Sequence, residues 1–157
     1  MIRLKKLLKE IGEASGAKYK WKQEISGDLN KIGAKQGYSF VTDSGLNYRV
    51  TLKNDLKFIK VDFEADESYN VTNRGEMFSV MATIVDIIKS ALEGLNTGSD
   101  SDDSDVLGIK YSPYQKGGDM GEKRNNLYIA YIKKAIPNIE IYKRQLAGVR
   151  YTFAKFK

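Results

Sequence analysis

Residues 76–95 carry the strongest pattern in the chain. Ser79, Thr83, Asp86, Ser90 and Glu93 recur at helical spacing as a single polar stripe, and Phe78, Met81, Ile84, Val85, Ile88 and Leu92 fill the remaining surface. A helix with so narrow a polar face is buried on most sides. Asn73 stands where a cap belongs, and Glu76 is placed to answer it as the reciprocal partner. Ahead of this helix the period changes from helical to alternating. Tyr38 and Phe40 alternate with Ser39 and Val41, and Tyr48, Val50 and Leu52 alternate with Asn47, Arg49 and Thr51. Asp43-Ser44-Gly45 between them supplies the turn of a hairpin. Residues 58–64 read as a further strand, with Ile59, Val61 and Phe63 inward and Lys60, Asp62 and Glu64 outward.

Beyond the long helix, residues 106–111 read as a short strand. A second helix is expected over about 122–136, with Leu127, Tyr128, Tyr131, Ile132 and Ala135 inward and Pro137 as its stop. Residues 139–145 and 149–156 form a last hairpin around Ala147-Gly148. At the other end Leu4, Leu7, Leu8 and Ile11 fall at helical spacing opposite lysines and predict a short amphipathic helix. The glycine-spaced stretch that follows reads as a loose connector with Tyr19 and Trp21 as its anchors. These elements describe one domain over 1–157: helix and connector over 1–36, an α/β core of the α+β kind over 37–157. That core is a mixed, mainly antiparallel sheet under a long central helix, with a second helix packed on it.

Composition narrows the chemistry. The 157 residues include no histidine and no cysteine, which excludes disulfides, thiolate nucleophiles, Ser-His-Asp triads and the usual zinc sites. Catalysis, if any, falls to Asp, Glu, Tyr, Lys, Ser or backbone groups. Within the segment 97–105, the run Ser99-Asp100-Ser101-Asp102-Asp103-Ser104-Asp105 is acidic and flanked by glycine. It lacks the glycine and terminal Glu of a calcium-binding loop, so it is expected to be a mobile surface loop, and no metal site is assigned. No apolar run is long enough to span a membrane, and the opening residues lack a secretory signal, so a cytoplasmic protein is expected. The formal net charge is +6, and after Glu122 basic residues far outnumber acids. That surplus suits a nucleic acid or an acidic cofactor. As read along the chain, however, the strands do not present the closely spaced aromatic and basic residues of an RNA-binding sheet.

From residue 38 the order strand, strand, strand, helix, strand, helix, strand, strand resembles the GNAT-like N-acetyltransferase fold. Two local features carry the resemblance. The first is the junction Val71-Thr72-Asn73-Arg74-Gly75-Glu76-Met77-Phe78. In that family this place holds a Gln/Arg-x-x-Gly-x-Gly/Ala loop, whose backbone N–H groups bind the coenzyme A pyrophosphate at a helix start. The resemblance therefore implies acetyl-CoA contacts at Asn73, Arg74, Gly75, Glu76, Met77 and Phe78, although the second glycine of the loop is missing. The second feature is Leu127-Tyr128. It implies that Tyr128 is the general acid that protonates the leaving thiolate, with Glu64 as the nearest equivalent of the family's catalytic base.

A narrower likeness lies in four stretches together, residues 3–10, 38–45, 78–88 and 124–128. They are similar to motifs of small proteins of tailed bacteriophages. This implies a viral protein located in the virion or the host cytoplasm. Three functions follow. The first is a non-catalytic GNAT-like domain that binds a protein partner of phage or host. The second is an acetyl-CoA-dependent N-acetyltransferase. The third is a nucleic-acid binder using the basic C-terminal third.

Overall fold

The computed structural model describes residues 18–65, 74–95, 106–112 and 119–157. The expected N-terminal helix, the acidic stretch 97–105 and the cap Asn73 lie outside the described residues. Within them, seven strands and two helices follow one another. They are β1 (Trp21–Ser26), β2 (Lys35–Val41), β3 (Asn47–Asp55), β4 (Phe58–Ala65), α1 (Arg74–Glu93), β5 (Gly108–Tyr111), α2 (Asp119–Ala135), β6 (Ile139–Leu146) and β7 (Val149–Phe156). The fold is mixed α+β, with the strands in one sheet in the order β1-β2-β3-β4-β5-β7-β6.

The first four strands form an antiparallel meander, and β5, β7 and β6 form a second antiparallel group. The two groups join through the parallel pair β4–β5, which α1 connects. A parallel neighbour needs a crossover of this kind, so the long apolar helix and the parallel pair are one topological unit. Inward positions of the strands meet both helices in a single core: Tyr38, Val50, Val61, Ile109 and Ala154 from the sheet, Ile84 and Ile88 from α1, and Tyr128 and Ile132 from α2. The described helices therefore share one face of the sheet. The alternate strand positions make up an opposite, open face, which no described helix covers.

One expectation needs correction. The stretch read as a loose connector contains β1, which pairs with β2 along its length. Its alternation is invisible because five of its six residues are exposed on an edge strand and only Trp21 is partly buried. The polar stripe of α1 has a structural use. Ser79 and Thr83 are buried. Thr83 Oγ1 accepts from the Tyr19 backbone N–H at 2.9 Å, and Asp86 accepts from Trp21 Nε1 at 3.0 Å. The stripe is the line along which the chain entering β1 is tied to the central helix. Tyr19 and Trp21 are anchors, as their aromatic character suggests, and both also pack on the core.

Backbone approach explains one conspicuous residue choice. A Cβ at Gly108 would lie 2.2 Å from the Ala154 carbonyl oxygen, so the β5–β7 contact requires glycine there.

Candidate functional site

The strands β4 and β5 part company at a defined point. Their ladder runs from Phe58 and Gly108 to Val61 and Tyr111, where β5 ends. Beyond it β4 continues to Ala65, still paired to β3 on its other side. Inward residues meet above this parting. The Tyr128 ring lies edge-on to Phe63 at 5.1 Å and to Tyr111 at 5.8 Å. These aromatics fill the gap. Among the described residues, the cavity beside them, floored by Met81 and Ile84, is about 10 Å³ and lined by apolar atoms. An ordered water needs roughly 10–15 Å³ and polar partners, and this cavity offers no polar atom to hold one.

A polar network lies beside the apolar one. Asn125 is fully buried in α2, and its Oδ1 accepts from the Tyr111 hydroxyl at 2.9 Å and from Thr152 Oγ1 at 3.1 Å. The amide thus ties the end of β5 and the middle of β7 to α2. Asn125 Nδ2 has no hydrogen-bond partner among the described residues. Turning the amide over would leave the oxygen unpaired instead, so one polar atom is unmatched in either orientation.

The expected site residues separate. Tyr128 is 4% exposed in the parting of β4 and β5. Glu64 is on the opposite face of the sheet, 3.3 Å from Arg49 Nη2, with both side chains more than half exposed. Asp62 shares that face. The period of a strand places Phe63 in the gap and its neighbours outside it, so Glu64 and Tyr128 do not face a common space. Arg74, Gly75, Glu76 and Met77 form the first turn of α1. Phe78 follows, half-buried, and its carbonyl accepts from the Tyr131 hydroxyl at 3.1 Å.

The open face holds a cluster that the linear reading missed. Register sets Lys60, Lys110, Phe153 and Tyr142 in one row across β4, β5, β7 and β6. Phe153 stacks on Tyr142 at 5.0 Å and meets Phe58 edge-on at 5.0 Å. Lys60 and Lys110 lie 5.9 and 5.5 Å from the Tyr151 ring, and Arg144 lies 5.3 Å from that of Tyr142. Aromatic and basic residues are therefore closely spaced on this sheet, contrary to the expectation from the strands taken singly. The available signal was the outward set of β6 and β7, namely Tyr142, Arg144, Tyr151 and Phe153. Only the strand order joins it to Lys60 and Lys110.

Among the described residues no group of acidic residues is arranged to hold a metal ion, and no helix is long and apolar enough to cross a membrane. No protein-family model, curated protein or solved structure matches this chain.

Proposed function

We propose that this chain is an acetyltransferase-like domain that binds a macromolecular partner and does not transfer acyl groups. The element order, the single parallel pair with its strands parting beyond Val61 and Tyr111, and Leu127-Tyr128 at that parting support the fold relationship. In the family resembled, the thioester would lie in this parting. Among the described residues the chain's own rings Phe63, Tyr111 and Tyr128 pack into it beside a cavity of about 10 Å³, and this observation carries the non-catalytic reading. Glu64 adds support, because its carboxylate is turned to the other face and paired with Arg49. A general base must come within hydrogen-bond reach of the proton it removes. The bacteriophage-like motifs suit a partner in the virion or the host.

The competing reading, acetyl-CoA-dependent acyl transfer, is favoured by one observation, the position of Tyr128 at the end of β5. Calorimetry with acetyl-CoA separates the two. The expected result is no heat at millimolar ligand and no rise in melting temperature. Saturable binding, with turnover slowed about 100-fold in Tyr128→Phe as for loss of a general acid, would establish the enzyme instead.

A further inference from the structure

We infer that the open face formed by β4, β5, β7 and β6 is a platform for single-stranded nucleic acid. The inference rests on the non-catalytic reading and names the partner. Three independent features meet on this face. The first is accessible π surface. Tyr142 and Tyr151 are only partly buried, while Phe153, 5% exposed, lies between Phe58 and Tyr142 and holds the cluster rigid. The second is charge placed at the rings. Arg144 sits 5.3 Å from Tyr142 and Lys60 sits 5.9 Å from Tyr151. The third is further basic charge from the hairpin. Arg144 and Lys155 share this face, with Glu140 opposite Lys155, while Lys143 and Arg150 alternate to the other side of the sheet.

Rings interleaved with cations match the two repeating parts of a single strand. Bases stack on aromatic faces, and phosphates meet the basic groups. A protein partner would instead favour a broad exposed apolar patch, whereas the most apolar ring here is buried under its neighbours. A duplex shields its base faces and would engage only the charges. The acids on this face limit the positive field without removing it. Asp55 is committed to Lys110 at 2.6 Å, and Glu64 is paired with Arg49 at 3.3 Å. Asp62 lies beyond Lys60 on β4, and Glu140 stands opposite Lys155, away from Arg144 along β6. Arg144 and Lys60 are therefore the phosphate-facing cations, and Lys110 supports the Tyr151 ring from within.

Fluorescence anisotropy with labelled oligo(dT) and oligo(U) tests this. Probes of about 20 nucleotides exceed the ~4–16 that one small domain covers. Binding in the micromolar range at low salt is expected, weakening as salt rises. Tyr142→Ala should lose about tenfold in affinity, the effect of removing one stacked base. Arg144→Gln should lower the salt slope by about one. Lys133→Gln, on the exposed surface of α2, should change neither. Melting curves on each variant establish that it is folded, and exposed Arg144 is the safer position should Tyr142→Ala unfold. The proposal is overturned by absence of binding at low salt, by equal affinity for duplex, or by folded Arg144→Gln binding with the parent's affinity and slope. Capture of an acidic protein on this face without strand binding also overturns it. Acetyl-CoA calorimetry on the same preparation keeps the two readings apart. Heat there sinks the non-catalytic reading whatever the anisotropy shows, and silence in both assays sinks the platform alone.

Discussion

Asp55 at the end of β3 reaches across β4 to Lys110 in β5, with Oδ2 and Nζ 2.6 Å apart. The two partners differ in exposure: the Lys110 side chain is 10% exposed and that of Asp55 is 43% exposed. Losing Asp55 leaves a nearly buried ammonium without its counter-charge, whereas losing the ammonium leaves a carboxylate in contact with water.

The first prediction follows from that asymmetry. Asp55→Ala should cost about 1.5 kcal/mol, the lower end of the range for a hydrogen bond to a charged group, because solvent screens the exposed side of the pair. Lys110→Met keeps the apolar stem and should cost less than about 1 kcal/mol. The Lys110 hydrogen bond, assisted by its charge, holds the Asp55 carboxyl below the usual range, against the opposing effect of burial. The unfolded chain then binds this proton more readily than the native one. The contribution is present above the unfolded Asp value of about 3.9 and is lost as pH falls through the lower native value. Urea midpoints measured from neutral to acid pH should converge for parent and Asp55→Ala. Parallel curves would show that the ion pair has no such role.

How far these features were legible depends on where their parts lie in the chain. Strands β2, β3 and β4 announce themselves because each has one buried face, so that Val50 and Val61 alternate with exposed neighbours. The edge strand β1 has no such contrast and was hidden. Tyr128 was legible through its pairing with Leu127 and its helical spacing. Its filling of the gap was not, because that depends on Phe63 and Tyr111, brought together only by the parallel ladder. The same holds for the open face. The basic residues of the last hairpin were plain, but their association with Lys60 and Phe58 is a property of strand order.

Two turns carry residues in a backbone region that disfavours them. Leu56, between β3 and β4, has φ of 59° and is 66% exposed. Ala147, between β6 and β7, has φ of 50° and precedes Gly148 at 79°. A side chain with a Cβ pays roughly 1–2 kcal/mol in the left-handed region, and Asn relieves part of that. Ala147→Asn creates the Asn-Gly pair favoured in two-residue hairpins. Each substitution to Asn should raise stability by about 0.5–1 kcal/mol, visible as a higher melting temperature. Unchanged or lower melting temperatures in both variants would refute the strain assigned to these turns.

The last prediction concerns the contact between the two helices. The Tyr131 hydroxyl donates to the Phe78 carbonyl at 3.1 Å, near the start of α1, and Tyr131 is 4% exposed. A helical carbonyl already engaged along its helix still has a second lone pair, so this bond adds to the helix ladder. Burial pushes the Tyr131 phenol well above its ordinary range, because the anion would lose its hydration. The native state therefore keeps its proton where the unfolded chain has released it. The resulting stability is complete below the unfolded value of about 10 and is lost as pH rises above it toward the native value. Tyr131→Phe retains the ring and loses the bond, costing about 0.5–1.5 kcal/mol at neutral pH. Above about pH 10 the parent should weaken more steeply than the variant, so the gap between them narrows. A residual alkaline slope is expected in both, since burial also raises the Tyr38 phenol. Urea midpoints for the two proteins at neutral pH and above pH ~10 provide the measurement. A gap that stays constant or widens with pH would mean that Tyr131 is not held neutral between the helices, and that the α1–α2 contact rests on packing alone.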